Sequence, residues 1–237
     1  QMLAAALCLV LLSGCSLGGS DSSGAFSGNI SMPSHEELME LKNGEKSSLQ
    51  VDASNIEPLL SAIQRPEGMV WKTAVTYHGT KDRTITTSVY VSGEMARVES
   101  YENGSLTGAY LVRDGYLYTF AANGKDYYRQ PYEEELGYDT LGHLGGIQDF
   151  LPIAQEDVVS SQITHSDSDG TQLKFVVKDE ELGLEDSYVF SMEYGVPIQV
   201  ESKLNGKSTY QLVTTELAQE QPQESYFQLP EDGTLLS

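Results

Sequence analysis

Cysteine is almost absent from this sequence. The 237 residues include two cysteines, Cys8 and Cys15, and both lie within the first fifteen positions. The rest of the chain can therefore form no disulfide framework, no cysteine-based metal site and no thiol nucleophile. Any chemistry that the rest of the chain performs must use other side chains.

Positive charge is scarce as well. Lysine and arginine total 14 against 35 aspartates and glutamates, which gives a net charge of −21. A surface of this sign repels phosphate backbones, so we predict no nucleic acid partner. It also repels anionic lipid headgroups, so we expect the folded part to stand off a membrane unless something holds it there. The hydrophobic fraction of 39% is sufficient for a packed core.

Long apolar runs are limited to one short segment at the start. Residues 3–12 read LAAALCLVLL, which is too short to span a bilayer but is typical of the apolar region of a signal peptide. The run ends in Leu12-Ser13-Gly14-Cys15, which resembles the lipobox of bacterial lipoproteins. No lysine or arginine precedes the run, so we expect the natural N-terminus to lie further upstream.

The lipobox resemblance implies that cleavage leaves Cys15 as the first residue, with a diacylglyceryl group on its sulfur. Two acyl chains suffice for stable attachment to a membrane. The alternative is an ordinary secretory signal with an incidental cysteine. We therefore divide the chain into a signal peptide at 1–14, a lipidated cysteine with a flexible Ser/Gly-rich tether at 15–52, and one folded domain at 53–237. Within the tether, Ser34 and Glu37 fit a capping box that predicts a short helix.

The spacing of apolar residues predicts one helix followed by many strands. A helical stripe over residues 54–64 has Ser54 as its N-cap. From Met69 the period changes to two, and Asn-Gly or Asp-Gly dipeptides recur as hairpin turns. We predict about six strands between Met69 and Gln130 and about five between Ser160 and Thr215, in an antiparallel meander. Residues 131–159 interrupt the pattern, with a short helix expected at 147–154.

No catalytic motif is present. The sequence contains no G-x-S-x-G elbow and no P-loop, and His35-Glu36-Glu37 lacks the second histidine of a zinc protease helix. Residues 165–170 resemble half of a calcium loop without its closing glutamate, and a hairpin turn explains them better. We predict no catalytic residue, no cofactor and no metal site. A cell-wall-modifying enzyme is kept as an alternative, because the chain has acid-rich loops and an expected location in the envelope.

Aromatic residues concentrate on two neighbouring predicted strands after residue 115. Cross-strand packing is the ordinary interpretation of such a cluster, and the functional interpretation is a cavity wall or a partner surface. The residues assigned to a ligand or partner surface are Trp71, Tyr116, Tyr118, Phe120, Tyr127, Tyr128 and Phe150.

Several local motifs resemble, in their order, those of the LolA/LolB-like lipoprotein-carrier superfamily. They are Arg97-Val98-Glu99 followed by Asp114-Gly115-Tyr116-Leu117-Tyr118, then Gly195-Val196-Pro197-Ile198, then residues 226–233 (YFQLPEDG). The resemblance covers about residues 54–234. It implies an α+β fold, mainly antiparallel β: a curved, unclosed β-barrel, here of about eleven strands, with helices on the concave face.

The lipobox and tether make the chain most similar to the anchored Gram-positive members of that superfamily, which include spore germination lipoproteins. The resemblance implies a membrane-anchored, extracytoplasmic, non-enzymatic binding or scaffold protein of the envelope. Its partner would be an envelope protein or an apolar ligand. Alternatives are a carrier of lipid or lipoprotein acyl chains in the concave face, and a homodimer formed by pairing of edge strands.

Overall fold

A computed structural model describes residues 33–132, Leu141 and residues 152–236. The predicted signal peptide, Cys15 and the first part of the tether lie outside the described residues. So do Phe150 and most of the predicted helix at 147–154.

Twelve strands of the described residues form one antiparallel sheet. They are β1 Leu49–Gln50, β2 Gly68–Tyr77, β3 Arg83–Ser92, β4 Met95–Glu102, β5 Ser105–Arg113, β6 Tyr116–Phe120, β7 Tyr127–Pro131, β8 Val158–Ser166, β9 Gly170–Asp179, β10 Leu184–Ser191, β11 Pro197–Leu204 and β12 Lys207–Ala218. Their order across the sheet is β1-β8-β9-β10-β11-β12-β2-β3-β4-β5-β6-β7, so β1 and β7 are its edges. The predicted fold class, a mainly antiparallel and unclosed curved sheet with helices, is confirmed.

The predicted hairpin turns explain the order of the two meanders. Asn103-Gly104, Asp114-Gly115 and Asn205-Gly206 each have positive φ at both residues, as a type I′ turn requires. The six and five predicted strands correspond to β2–β7 and β8–β12. The twelfth strand, β1, has two residues and pairs Leu49 with Ile163 at the edge of β8.

Two short helices precede the long strands. Helix α1 (His35–Lys42) begins with the predicted capping box, in which the Ser34 hydroxyl accepts the Glu37 N–H and the Glu37 carboxylate accepts the Ser34 N–H. Helix α2 (Ile56–Ala62) follows a 3-10 turn at Ala53–Asn55. The predicted N-cap at Ser54 is wrong, because α2 begins after Asn55, which makes no side-chain cap hydrogen bond. Ser54 lies inside the 3-10 turn, which Asp52 caps by accepting the Ser54 N–H at 2.9 Å.

The packed part of the chain starts earlier than residue 53. Residues 35–50, which the sequence analysis places in the tether, contain α1 and β1. Leu41 and Leu49 are buried in the same cluster as α2. Because these two leucines lie against the sheet, the helix and strand that carry them belong to the folded body.

The face of the sheet on which the helices pack is called the inner face. Helix α2 contributes Ile56, Leu59 and Leu60 to a cluster over β8–β10. The strand residues fully buried in that cluster are Ile163, Leu173, Phe175 and Phe190. A second cluster continues on this face over β2–β6 and includes Met69, Trp71, Val89 and Val98. Within the described ranges, no helix is long and apolar enough to cross a membrane.

The opposite, outer face is covered at β4–β7 by the end of the chain. Residues 223–236, called the C-terminal segment, begin with a 3-10 turn at Glu224–Phe227. Phe227 is buried against Ala109, Leu111, Tyr118 and Phe120. Strand residues alternate between the two faces, so Leu111 joins this outer cluster while its neighbour Val112 joins the inner one.

Candidate functional site

The predicted aromatic surface is divided between the two faces. Tyr116, Tyr118 and Phe120 alternate along β6 and lie on the outer face, and Tyr127 of β7 pairs with Phe120. The centroid of the Tyr127 ring is 5.6 Å from that of Tyr118 and 5.9 Å from that of Phe120, both in edge contacts. The structure therefore brings four of the seven assigned residues into one ladder of rings.

The C-terminal segment covers most of that ladder. Tyr118 and Phe120 are each 7% exposed, and Phe227 of the segment is 1% exposed. Tyr226 stacks on Tyr90 with centroids 4.1 Å apart. In this structure, Tyr118 and Phe120 pack as core residues beneath the chain's own end.

The same segment also covers part of the β7 edge. The Tyr127 N–H donates to the Thr234 carbonyl at 3.0 Å, and the Leu236 N–H donates to the Tyr127 carbonyl at 2.8 Å. Lys125 forms an ion pair with Asp232. Because the Tyr127 backbone is occupied, a second copy of the chain could pair with this part of the β7 edge only after displacing the segment.

The remaining assigned residues lie elsewhere. Trp71 is on the inner face and fully buried, and its indole N–H donates to the Thr214 hydroxyl at 2.9 Å. Tyr128 is exposed and points away from Tyr127 on the opposite face. Within the ladder, Tyr116 is the exposed member at the start of β6, with Arg129 over its ring. Tyr116 and Tyr128 stay predictions for a partner surface, and Phe150 lies outside the described residues.

A group that the sequence analysis did not assign lies at the hairpin ends of the inner face. We call it the tyrosine rim, and its members are Tyr77, Tyr188, Tyr210, Leu184 and Leu204. Tyr77 pairs directly with Tyr210, and Leu184 with Leu204. Tyr77, Leu184 and Leu204 are between 36 and 43% exposed.

The rim stands on an apolar floor. Val75, Val200 and Leu212 are fully buried beneath Tyr188 and Tyr210. Tyr77 and Tyr210 make an edge contact with centroids 5.5 Å apart. Rings held in this way expose a patch of aromatic and aliphatic surface at low cost in conformational freedom.

Charged groups surround the rim. Arg83 pairs with Tyr77 across the strands, and its guanidinium donates to both carboxylate oxygens of Glu102 at 2.6 and 2.9 Å. The Tyr188 hydroxyl lies 3.4 Å from an Asp186 carboxylate oxygen. Burial, with the nearby Asp186 charge, raises the pKa of Tyr188 well above its usual range. Tyr188 is therefore a neutral hydroxyl at any physiological pH.

One signal for the rim was present in the sequence. Tyr77 alternates along β2 with Trp71 and Val75, so the sequence predicted that these three side chains lie on the same face. Tyr188 and Tyr210 come from strands far along the chain. Their meeting depends on the β10–β11–β12–β2 order, which no local pattern specifies.

Among the described residues, His78 and His165 each have one side-chain hydrogen-bonding partner. His78 contacts Asp82 in the turn after β2, and His165 contacts Thr171 between β8 and β9. In the described part of the chain, no group of three or more His, Cys, Asp or Glu side chains is placed to hold a metal ion. Residues 166–170 connect β8 to β9, so the hairpin interpretation of this segment is confirmed.

No protein-family model matches this sequence, and no curated protein matches it. Several solved structures are similar. An uncharacterized conserved protein from Thermus thermophilus is 14% identical, with a TM-score of 0.44, over 78% of this chain and 98% of that chain. The structure of MucB in complex with MucA(peri) gives 12% identity and a TM-score of 0.45, over 78% of this chain and 62% of that chain.

A third similar structure is the LolA superfamily protein NE2245 from Nitrosomonas europaea. It is 11% identical, with a TM-score of 0.38, over 75% of this chain and 98% of that chain. At such identities and TM-scores, these similarities say nothing about which ligand or partner this chain binds.

Proposed function

We propose that this chain is a membrane-anchored, extracytoplasmic lipoprotein that binds an envelope protein through the tyrosine rim and catalyses no reaction. The lipobox-like Leu12-Ser13-Gly14-Cys15 supports the anchor. The tyrosine rim supports the binding role, and it is the observation on which that role depends. Spore germination, the setting implied by the superfamily resemblance, is one envelope process in which such a protein would act.

The rim has the composition of a protein interface. Protein interfaces combine an apolar, aromatic-rich centre with a polar border, and tyrosine is frequent among the residues that contribute most of the binding energy. Here the centre is formed by the rim's tyrosines and leucines, and the border by the Arg83–Glu102 ion pair and Asp186. The border carries both positive and negative side chains. A protein partner can match both signs, whereas the headgroup of an anionic lipid matches only one.

Carriage of acyl chains is less well supported. The inner face over β8–β10 is filled by the chain's own helices, because Ile56, Leu59 and Leu60 pack against Phe175 and Phe190. Side chains in such a core leave few voids larger than a water molecule. An acyl chain in this half would have to displace α2.

Photo-crosslinking in cells tests the binding role. A photoreactive residue at Leu204 should crosslink to one envelope protein that mass spectrometry identifies. The same residue at Val159, which is also exposed but lies on β8, next to the edge strand β1, is the matched control and should give no such product.

The crosslink should also depend on the rim. The double variant Tyr77→Ser, Leu184→Ser should reduce its yield by about tenfold, since loss of two central apolar contacts weakens an interface by that order. Equal crosslinking from Val159 would contradict the proposal. So would recovery of a stoichiometric lipid from the purified protein.

A further inference from the structure

A polar groove lies at the other end of the strands from the tyrosine rim. Its volume is about 720 Å³, and it is bounded by the β8–β9 turn, the turn after β10 and the end of β12. The register of β12 against β2 shifts between Thr214 and Glu216. This bulge bends β12, and Thr214–Leu217 line the groove.

Gln172 is a buried amide that opens into this groove. It lies on β9, pairs with Ser191 of β10 and is 8% exposed. Its neighbour Leu173 points to the inner face, so Gln172 points to the outer one. Within the part of the chain that the structure describes, the Gln172 side chain makes no hydrogen bond. Its amide atoms are not among the fully enclosed polar atoms that lack a partner in the described residues. They therefore reach the groove and are available to bond a ligand there.

Glu193 lines the same groove as Gln172. A Cβ atom added to Gly170 would come within 2.8 Å of a Glu193 carboxylate oxygen, so the carboxylate occupies space left by that glycine. The Ser191 hydroxyl accepts the N–H groups of Glu193 and Tyr194 at 3.3 and 3.2 Å, which holds the turn in place. Glu193 is half-buried. Among the described residues it has no basic partner.

Apart from His165, the remaining groove lining is acidic or uncharged. Asp167, Asp169 and Glu216 add carboxylates. Asp169 accepts hydrogen bonds from the Ser166 and Ser168 hydroxyls. Glu216 is paired with Lys72 at 2.7 Å. The half-buried Glu193 thus faces a groove in which several carboxylate oxygens can accept hydrogen bonds. The Gln172 amide, which has no partner among the described residues, lines the same groove.

We propose that this groove binds a basic side chain, arginine or lysine, from a protein partner. The Glu193 carboxylate and the Gln172 carbonyl oxygen would accept its N–H groups. Arginine suits the site well, because its guanidinium presents several donors in a fixed plane. The net charge of −21 would also attract a basic segment. This site is separate from the tyrosine rim and does not depend on it.

The test uses the full chain and two short peptides, Gly-Arg-Gly-Arg-Gly and the same peptide with citrulline in place of arginine. Citrulline keeps the shape and removes the charge. Titration followed by NMR should shift the Gln172 side-chain amide signals with the arginine peptide, and the citrulline peptide should bind at least fivefold more weakly.

Two variants separate a specific site from the general negative field. Glu193→Gln should weaken binding of the arginine peptide at least fivefold. Glu181→Gln makes the same change of net charge at an exposed turn and should leave binding unchanged.

Equal losses in the two variants would overturn the proposal, as would equal binding of the two peptides. A shift of the Gln172 signals by a neutral oligosaccharide with none by the arginine peptide would overturn it too, and would assign the groove to sugars instead. None of these outcomes bears on the rim, which the crosslinking experiment tests.

Discussion

The two halves of the sheet are covered on opposite faces by opposite ends of the folded chain. Over β8–β10, helices α1 and α2 pack on the inner face. Over β4–β7, the C-terminal segment packs on the outer face. The first cover is an extended apolar layer, whereas the second has one fully buried side chain, Phe227, supplemented by polar contacts.

This difference predicts two kinds of response to mutation. The helices share a cluster with four fully buried strand residues, so damage there should unfold the whole domain. The C-terminal segment is attached through few contacts, so damage there should release it locally while the sheet persists.

Phe175→Ala is expected to have the largest effect. Phe175 is 1% exposed and its ring is stacked with those of Tyr188 and Phe190. Its truncation should lower the free energy of unfolding by about 3–5 kcal/mol. Urea unfolding followed by the fluorescence of the single tryptophan, Trp71, measures this loss. Leu182→Ala, at an exposed turn, is the control and should change stability by less than about 0.5 kcal/mol; similar losses in both variants would contradict the packing described.

Phe227→Ala should have the next largest effect, of about 3 kcal/mol on docking of the C-terminal segment. Loss of the Phe227 ring should break the backbone hydrogen bonds between Tyr127 and residues 234–236, because Phe227 is the buried residue that holds the segment on the sheet. Hydrogen exchange at the Tyr127 and Leu236 amides should accelerate by roughly a hundredfold. The amide of Val89, in the middle of β3, is the internal control. Equal acceleration at Val89 would show that the segment and the sheet unfold together.

Ser34→Ala should have a smaller effect, on the half of the sheet that helices α1 and α2 cover. The Ser34 hydroxyl accepts the Glu37 N–H at 3.2 Å and closes the capping box of α1. Its removal should cost about 1 kcal/mol in urea unfolding. Ser47→Ala, at an exposed position after α1, should be neutral. No difference between the two would mean that α1 contributes little to the stability of the folded body.

Acidification should have the smallest effect, and it should act on the C-terminal segment. The pKa of Asp126 is lowered by hydrogen bonds from Asn123 and from the Thr234 N–H, and the pKa of Asp232 is lowered by Lys125. A carboxyl with a lowered folded pKa stabilises the fold above its ordinary pKa of about 3.9, and that contribution is lost as the pH falls through the folded value. The Thr234 amide signal should therefore move below about pH 4 in NMR spectra. In Asp126→Asn that movement should diminish; an unchanged titration would show that Asp126 does not report on docking.

The sequence predicted those parts of the fold that local patterns specify. Asn103-Gly104, Asp114-Gly115 and Asn205-Gly206 determine their hairpins because both turn residues tolerate positive φ. The capping box at Ser34 is likewise a local arrangement. The two-residue strand β1 has no period to detect, so its pairing with β8 was not predicted.

The candidate site was less predictable because it depends on which face is covered. The alternation along β6 placed Tyr116, Tyr118 and Phe120 on one face. Nothing in that alternation indicated that residues 223–236 would lie over it. The tyrosine rim and the polar groove likewise need side chains from strands that are distant in sequence, and their register depends on bulges such as the one at Thr215.

The proposed location of the protein depends on the membrane anchor at Cys15. The direct test is fractionation of cells that express the parent or the Cys15→Ser variant. We expect the parent to sediment with membranes and the variant to be recovered in the soluble fraction outside the cytoplasm. A variant that sediments with membranes as completely as the parent would contradict the proposal.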